Sequence, residues 1–138
     1  MNSLIKKLDK HIIPIPIYGG ELVLILTNDI ENVFTAYDIP CPKHIPDDGI
    51  GCINATTFRK ILYTRNKNVI HYVIAFPSGK EIRPGVIAHE AHHTTTNILQ
   101  DRGIPIDPNK DENECYLLSW IVTQVHNWKS QKKASKCK

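Results

Sequence analysis

The sequence lacks the long apolar run that a membrane-spanning helix requires. Such a helix needs about 18 consecutive apolar residues, and the apolar stretch HIIPIPIY is interrupted by Pro14 and Pro16. The start of the chain also lacks the pattern of a signal peptide, because lysines and Asp9 are scattered among its apolar residues. We therefore expect no membrane partner and a cytoplasmic location.

Cysteine is sparse, and its spacing is not that of a structural zinc site. Cys41, Cys52, Cys115 and Cys137 form no C-x-x-C pair. In a cytoplasmic protein we expect reduced thiols rather than a disulfide framework. A metal site formed by Cys41, Cys52 and His44 is an alternative, although these residues fall in a proline-rich and glycine-rich segment that is typical of a loop.

No charge of one sign dominates the chain. The formal net charge is +3, and much of it comes from the lysines of residues 129–138, which we expect to form a flexible basic tail. Without this tail the chain is close to neutral, so nucleic acid is not an expected partner. Binding of nucleic acid through the tail is an alternative.

The length and composition suit one domain. With 138 residues, of which 41% are apolar, the chain can bury one hydrophobic core but not two. The sequence contains no internal repeat. We therefore expect a single domain over residues 1–138, and the sequence leaves its oligomeric state open.

The first half of the chain is typical of β-hairpins. Two apolar stretches meet at Gly19 and Gly20, which suit the positive φ angles of a hairpin turn. Pro14 and Pro16 lack a backbone donor and place the first strand at a sheet edge. A second pair of strands is predicted in CINATTFRKILY and NVIHYVIAFP, where β-branched and aromatic residues dominate.

The second half predicts two helices. Pro84 suits the first turn of a helix that runs to about Arg102, where Gly103 ends it. A second helix is predicted from about Asp111 to Trp128. The predicted fold class is α+β, with an N-terminal antiparallel sheet of hairpins packed on a two-helix, zincin-like metal site.

The first predicted helix contains HEAHH, which matches the pattern H-E-x-x-H. Residues four apart lie about 40° apart around a helix, so His89 and His93 can hold one metal ion together. Glu90 lies about 100° from His89 around the helix, beside the expected ion. This is the position that a general base needs in order to take a proton from a metal-bound water. Ile87 and Ile98 fall on the opposite side and can pack in the core.

The second predicted helix offers a third ligand. Glu114 falls in the middle of its apolar face, where an unpaired carboxylate is costly. Hydrolytic zinc sites usually have three protein ligands and leave a fourth position to water. A metal ion held by His89, His93 and Glu114 would pair with this carboxylate and so offset the cost of burying it. The alternatives are two exposed histidines and a glutamate that interacts only with the helix dipole.

These residues carry a resemblance to a known family. HEAHH, followed after twenty intervening residues by Glu114, with Asn113 directly before it, resembles the gluzincin metallopeptidases of the thermolysin type. The segment is also similar to small metallopeptidases of bacteriophages and bacteria. The resemblance implies that His89, His93 and Glu114 bind Zn2+, that Glu90 is the catalytic base, and that the substrate is a peptide or protein.

Two departures from the gluzincin pattern keep a second function open. Leu118 stands where those enzymes have an aspartate that orients a zinc-bound histidine, so another group must supply that hydrogen bond. The chain also has no room for the domain that supplies their oxyanion-stabilising residues. We therefore predict a zinc metallopeptidase that hydrolyses peptide bonds with metal-activated water. The alternative is a catalytically inactive, zinc-containing binding protein of the same family type.

The strand before the first predicted helix has a predicted role in this function. Residues 69–76 are expected to lie beside the cleft and to hold an extended peptide by strand addition, by analogy with the edge strands of zincins.

Overall fold

A computed structural model of the protein describes residues 3–41 and 55–136. In chain order its elements are α1 (Ser3–Lys7), β1 (Lys10–Pro14), β2 (Glu21–Leu26), α2 (Ile30–Ala36), β3 (Thr56–Tyr63), β4 (Asn68–Phe76), a 3-10 turn (Gly79–Glu81), α3 (Pro84–Asp101) and α4 (Glu112–Lys136). Mixed helix and strand content confirms the α+β class. The proline-rich segment that contains His44 and Cys52 lies outside the described residues, apart from its beginning.

The strands form one mixed sheet in the order β1-β2-β4-β3. The two predicted hairpins are confirmed, because β1 pairs with β2 and β3 with β4 in antiparallel fashion. The expectation of an antiparallel sheet throughout is wrong, because β2 and β4 are parallel. Two parallel strands need a long crossover connection, and here the chain between them contains α2, which was not predicted, and β3.

The turn between β1 and β2 depends on glycine as expected. Gly19 and Gly20 have φ angles of 70° and 82°, which residues with a Cβ adopt at a cost. A Cβ on Gly20 would lie 3.0 Å from the carbonyl oxygen of Ile70 and 3.0 Å from a ring carbon of Tyr72. A side chain at this position would therefore disturb the contact between the turn and β4.

Helices cover both faces of the sheet. Successive residues of a strand point to opposite faces, so Leu24 and Ile74 pack with α3 and α4, whereas Val23 and Val73 pack with α1 and α2. The face toward α3 and α4 also contains Ile87 and Ile98, as predicted. The H-E-x-x-H motif therefore lies on a helix whose inner side is fixed in the larger of the two core clusters.

The two long helices differ in how closely they follow their predictions. The predicted bounds of α3 are confirmed to within one residue, with Gly103 at φ 65° after its end. The predicted end of the second helix at Trp128 is wrong, because α4 continues to Lys136. Lys129 donates to the carbonyl of Ile82, and Lys132 forms an ion pair of 2.8 Å with Asp9. These contacts hold much of the predicted basic tail against the domain.

A buried histidine links α2 to the sheet. His71 is buried on β4, with its Nδ1 2.8 Å from the hydroxyl of Tyr37 and its Nε2 3.0 Å from a carboxylate oxygen of Glu21. A carboxylate only accepts, so Nε2 of neutral His71 carries the proton and Nδ1 accepts from Tyr37. Burial lowers the pKa of His71, while the charge of Glu21 opposes that shift.

Candidate metal centre

His89 and His93 meet on the exposed side of α3. Their Nε2 atoms are 3.1 Å apart, and the ring centroids are 4.7 Å apart. A tetrahedral zinc ion with bonds of about 2.0 to 2.1 Å holds two nitrogen ligands roughly 3.4 Å apart. The pair is therefore within a few tenths of an ångström of the separation that zinc requires. The same contact is a hydrogen bond when one neutral ring donates to the other.

The surroundings of His93 favour its neutral form. Partial burial lowers the pKa of His93, and the positive charges that His89 and His92 can carry lower it further. A metal ion binds neutral imidazole through its unprotonated nitrogen, so a proton on that nitrogen competes with the metal. The histidine cluster therefore favours the form that can act as a ligand.

Glu90 is enclosed between α3 and the sheet. Only 5% of the residue is exposed, and the hydroxyl of Thr57 on β3 donates to its Oε2 at 2.5 Å. Burial raises the pKa of Glu90, while the bond from Thr57 and the charge of His89 act in the opposite direction. A carboxylate with a raised pKa that interacts with the charge of His89 is a candidate for a general base.

Glu114 lies at the edge of the contact between α3 and α4. Its side chain is 19% exposed, and its Oε1 is 3.6 Å from Nδ1 of His92. The ring of His92 is in turn 6.4 Å from that of His93, measured between centroids. The structure thus brings His89 and His93 together, with Glu90 following His89 on the same helix, whereas the carboxylate of Glu114 faces His92.

The described part of the chain contains no group of three histidine, cysteine, aspartate or glutamate side chains arranged to hold a metal ion. This arrangement differs from the predicted set of His89, His93 and Glu114, in which the glutamate faces the imidazole pair. The wheel of α4 placed Glu114 on the side of Ile121 and Val125, and both of these residues are buried. The packing of α4 against α3 determines which histidine of α3 lies opposite Glu114.

Both β3 and β4 pack against α3, but the predicted addition of a peptide strand to β4 is wrong. β4 pairs with β2 on one side and β3 on the other, so its backbone cannot accept an added strand. β3 has one partner among the described strands and contacts α3 through Thr57 and Arg59. Thr57 was not identified in the sequence, because its relation to Glu90 depends on the register of β3.

Comparisons with known proteins add no assignment. No protein-family model matches the chain, and no significant match is found among curated proteins or solved structures. Within residues 3–41 and 55–136, no helix is long and apolar enough to cross a membrane. The metal-site hypothesis therefore depends on the H-E-x-x-H motif and its surroundings.

Proposed function

We propose that the protein is a zinc metallopeptidase with His89, His93 and Glu114 as metal ligands and Glu90 as the catalytic base. The observation that carries the proposal is the 3.1 Å separation of the two Nε2 atoms beside a buried glutamate. Two exposed histidines without a function do not account for a buried carboxylate on the same helix turn. Burial of a carboxylate is costly unless it is paired, and the hydrogen bond from Thr57 offsets only part of that cost.

The positions of His89 and His93 fit a zinc ion. Glu114, the third proposed ligand, fits it only if its side chain moves. Glu114 must turn from His92 toward the imidazole pair when the ion binds. When bound, zinc polarises a carbonyl group and acidifies a water molecule. A metal ion held by His89 and His93 would supply the positive charge that a carboxylate turned toward them requires.

Glu90 performs the proton transfers in this proposal. Thr57 occupies Oε2 of Glu90, which leaves Oε1 to take a proton from water and to pass it to the departing amine. Thr57 also fixes the side-chain orientation, so the oxygen that accepts the proton has a defined direction. The substrate class is a peptide or protein.

Metal content and proteolysis together test the proposal. Elemental analysis of purified protein should find zinc in the wild type and in His126→Ala, a matched variant with an exposed histidine on α4. His93→Ala should lose zinc, because one of the two facing imidazoles is removed. A casein or peptide-library digest should show cleavage that a chelator and His93→Ala abolish.

Two results contradict the proposal in different ways. A wild type that binds no zinc removes the metal site. Cleavage that persists in chelator shows that any hydrolysis does not depend on the metal.

The second candidate is a zinc-containing binding protein without turnover. The pairing of Glu114 with His92 at 3.6 Å favours it, because a carboxylate held there leaves the metal with fewer protein ligands. Leu118, at the position where gluzincins have an orienting aspartate, also favours it. Zinc bound in the wild type and lost in His93→Ala, without cleavage in any digest, would support this candidate.

A further inference from the structure

Within residues 3–41 and 55–136, no element covers one end of the sheet face toward α3. Thr57, Arg59, Ile61 and Tyr63 alternate onto this face of β3. Arg59 contacts α3 near its end, with NH1 3.2 Å from an oxygen of Asp101. Ile61 and Tyr63 follow, and they remain 45% and 74% exposed. The sheet thus extends beyond the helix and presents two large apolar side chains to solvent.

Two adjoining cavities lie over this open face. Their volumes are about 560 Å³ and 310 Å³, and both are lined by Ile61, Tyr63 and Ile70. Gly20 lines the smaller cavity, so the β1–β2 turn forms part of its wall. We call the two cavities together the β3 groove. They are shallow and wide, which suits an extended ligand better than an enclosed small molecule.

Positive charge surrounds the β3 groove. Arg59 lines the larger cavity and Arg102 the smaller, while exposed Arg65 and Lys67 lie on the turn that follows Tyr63. The ammonium of Lys60 belongs to the opposite face of β3, where it donates to the carbonyl of Asp38 at 3.0 Å. Among the residues that the structure describes, one carboxylate lines the cavities, that of Asp101. Asp101 is neutralised by Arg59 and accepts a hydrogen bond of 2.9 Å from the hydroxyl of Tyr72. The groove is therefore complementary to an anion.

We propose that the β3 groove binds single-stranded nucleic acid, with a base stacked on Tyr63 and phosphates near Arg102, Arg65 and Lys67. Proteins bind single strands by combining exposed aromatic rings with a cationic groove, and a sheet is a common platform for the rings. The net charge of the chain does not indicate this cluster of cations, because acidic residues elsewhere balance it.

An acidic peptide is the competing ligand for a cationic groove. A peptide that extends the sheet would use the backbone of β3 and would need no aromatic ring on the open face. An exposed tyrosine between cations instead matches a base joined to phosphates. The proposal uses neither His89 nor His93, so it is independent of the proposed peptidase function.

Fluorescence anisotropy with a short, labelled, mixed-sequence single-stranded DNA at low salt tests the proposal. Tyr63→Ala should weaken binding about tenfold, because loss of one stacked base costs roughly that factor or more, whereas Tyr63→Phe should retain affinity. Tyr116→Ala is the matched control, because Tyr116 is 73% exposed but lies on α4. It should leave affinity unchanged.

A second pair of variants tests the charges. The double variant Arg65→Gln and Lys67→Gln should weaken binding and reduce the dependence of log affinity on log salt by roughly 0.7 for each lost phosphate contact. The control with the same change in charge is Lys6→Gln with Lys7→Gln. Both of these lysines are exposed on α1, on the opposite side of the sheet. Circular dichroism of each variant establishes that the fold is retained.

Three outcomes overturn the proposal. The first is that wild-type protein shows no saturable binding to the DNA at low salt. The second is equal loss of affinity in Tyr63→Ala and Tyr116→Ala. The third is that a labelled glutamate-rich peptide binds with the expected variant pattern while the DNA does not, which would make the β3 groove a protein-binding surface.

Discussion

Replacement of Glu90 by glutamine removes the proposed proton acceptor and nearly preserves the side-chain shape. The amide oxygen of glutamine can still accept the hydrogen bond from the hydroxyl of Thr57. General-base catalysis contributes roughly 10²- to 10⁴-fold in rate, which corresponds to about 3 to 5 kcal/mol of activation free energy. We therefore expect peptide hydrolysis to fall by at least about a hundredfold, with zinc content unchanged.

The same substitution should stabilise the fold. Burial raises the pKa of Glu90, so the native state favours its protonated form. With a native pKa above the unfolded one, the contribution of Glu90 to stability is fully present at low pH and is lost as the pH rises through the native pKa. Glutamine does not ionise, so the stability gain of the variant should grow as the pH rises above about 4.5.

Three measurements on one variant check this reasoning. Initial rates of peptide cleavage, zinc content and thermal unfolding between acidic and neutral pH should be compared with Glu112→Gln, which removes an exposed carboxylate from α4. Cleavage within tenfold of the wild type would exclude Glu90 as the base. A lower melting temperature than wild type at pH 7 would show that the burial of Glu90 does not oppose its ionisation.

Other predictions concern the fold around the site. Tyr37→Phe leaves Nδ1 of buried His71 without its donor, so we expect a loss of about 2 kcal/mol in unfolding free energy by urea titration; an unchanged midpoint would contradict the tautomer assigned to His71. Burial lowers the pKa of His71 in the fold. The contribution of His71 to the unfolding free energy is therefore present above about pH 6.5 and is lost as the pH falls. In urea titrations carried out at decreasing pH, His71→Gln should lose less unfolding free energy than the wild type. Thr95→Val should raise the unfolding free energy by about 1 kcal/mol, because the buried Thr95 hydroxyl has no hydrogen-bond partner among the described residues; a decrease would indicate that the hydroxyl has a partner such as water.

Some features follow from local sequence. The β1–β2 turn forms at Gly19 and Gly20 because glycine adopts positive φ angles at little cost. α3 begins at Pro84, whose fixed φ suits the first turn of a helix, and ends before Gly103, which has a positive φ. The meeting of His89 and His93 also follows from sequence, because two residues four apart on one helix are neighbours whatever the rest of the chain does. Asp29, which caps α2 through the amide of Asn32, was a local signal that the prediction missed.

Tertiary structure decided the features that join distant segments. The bond between Thr57 and Glu90 depends on the register of β3 and on the placement of α3 across the sheet. The same packing places Glu114 beside His92, although helical periodicity alone assigned it to the side of α4 that contains Ile121 and Val125. Helical periodicity states which residues share a face but not which partner that face meets. That choice depends on how side chains from separate elements fill the core, and it is made only when the elements pack together.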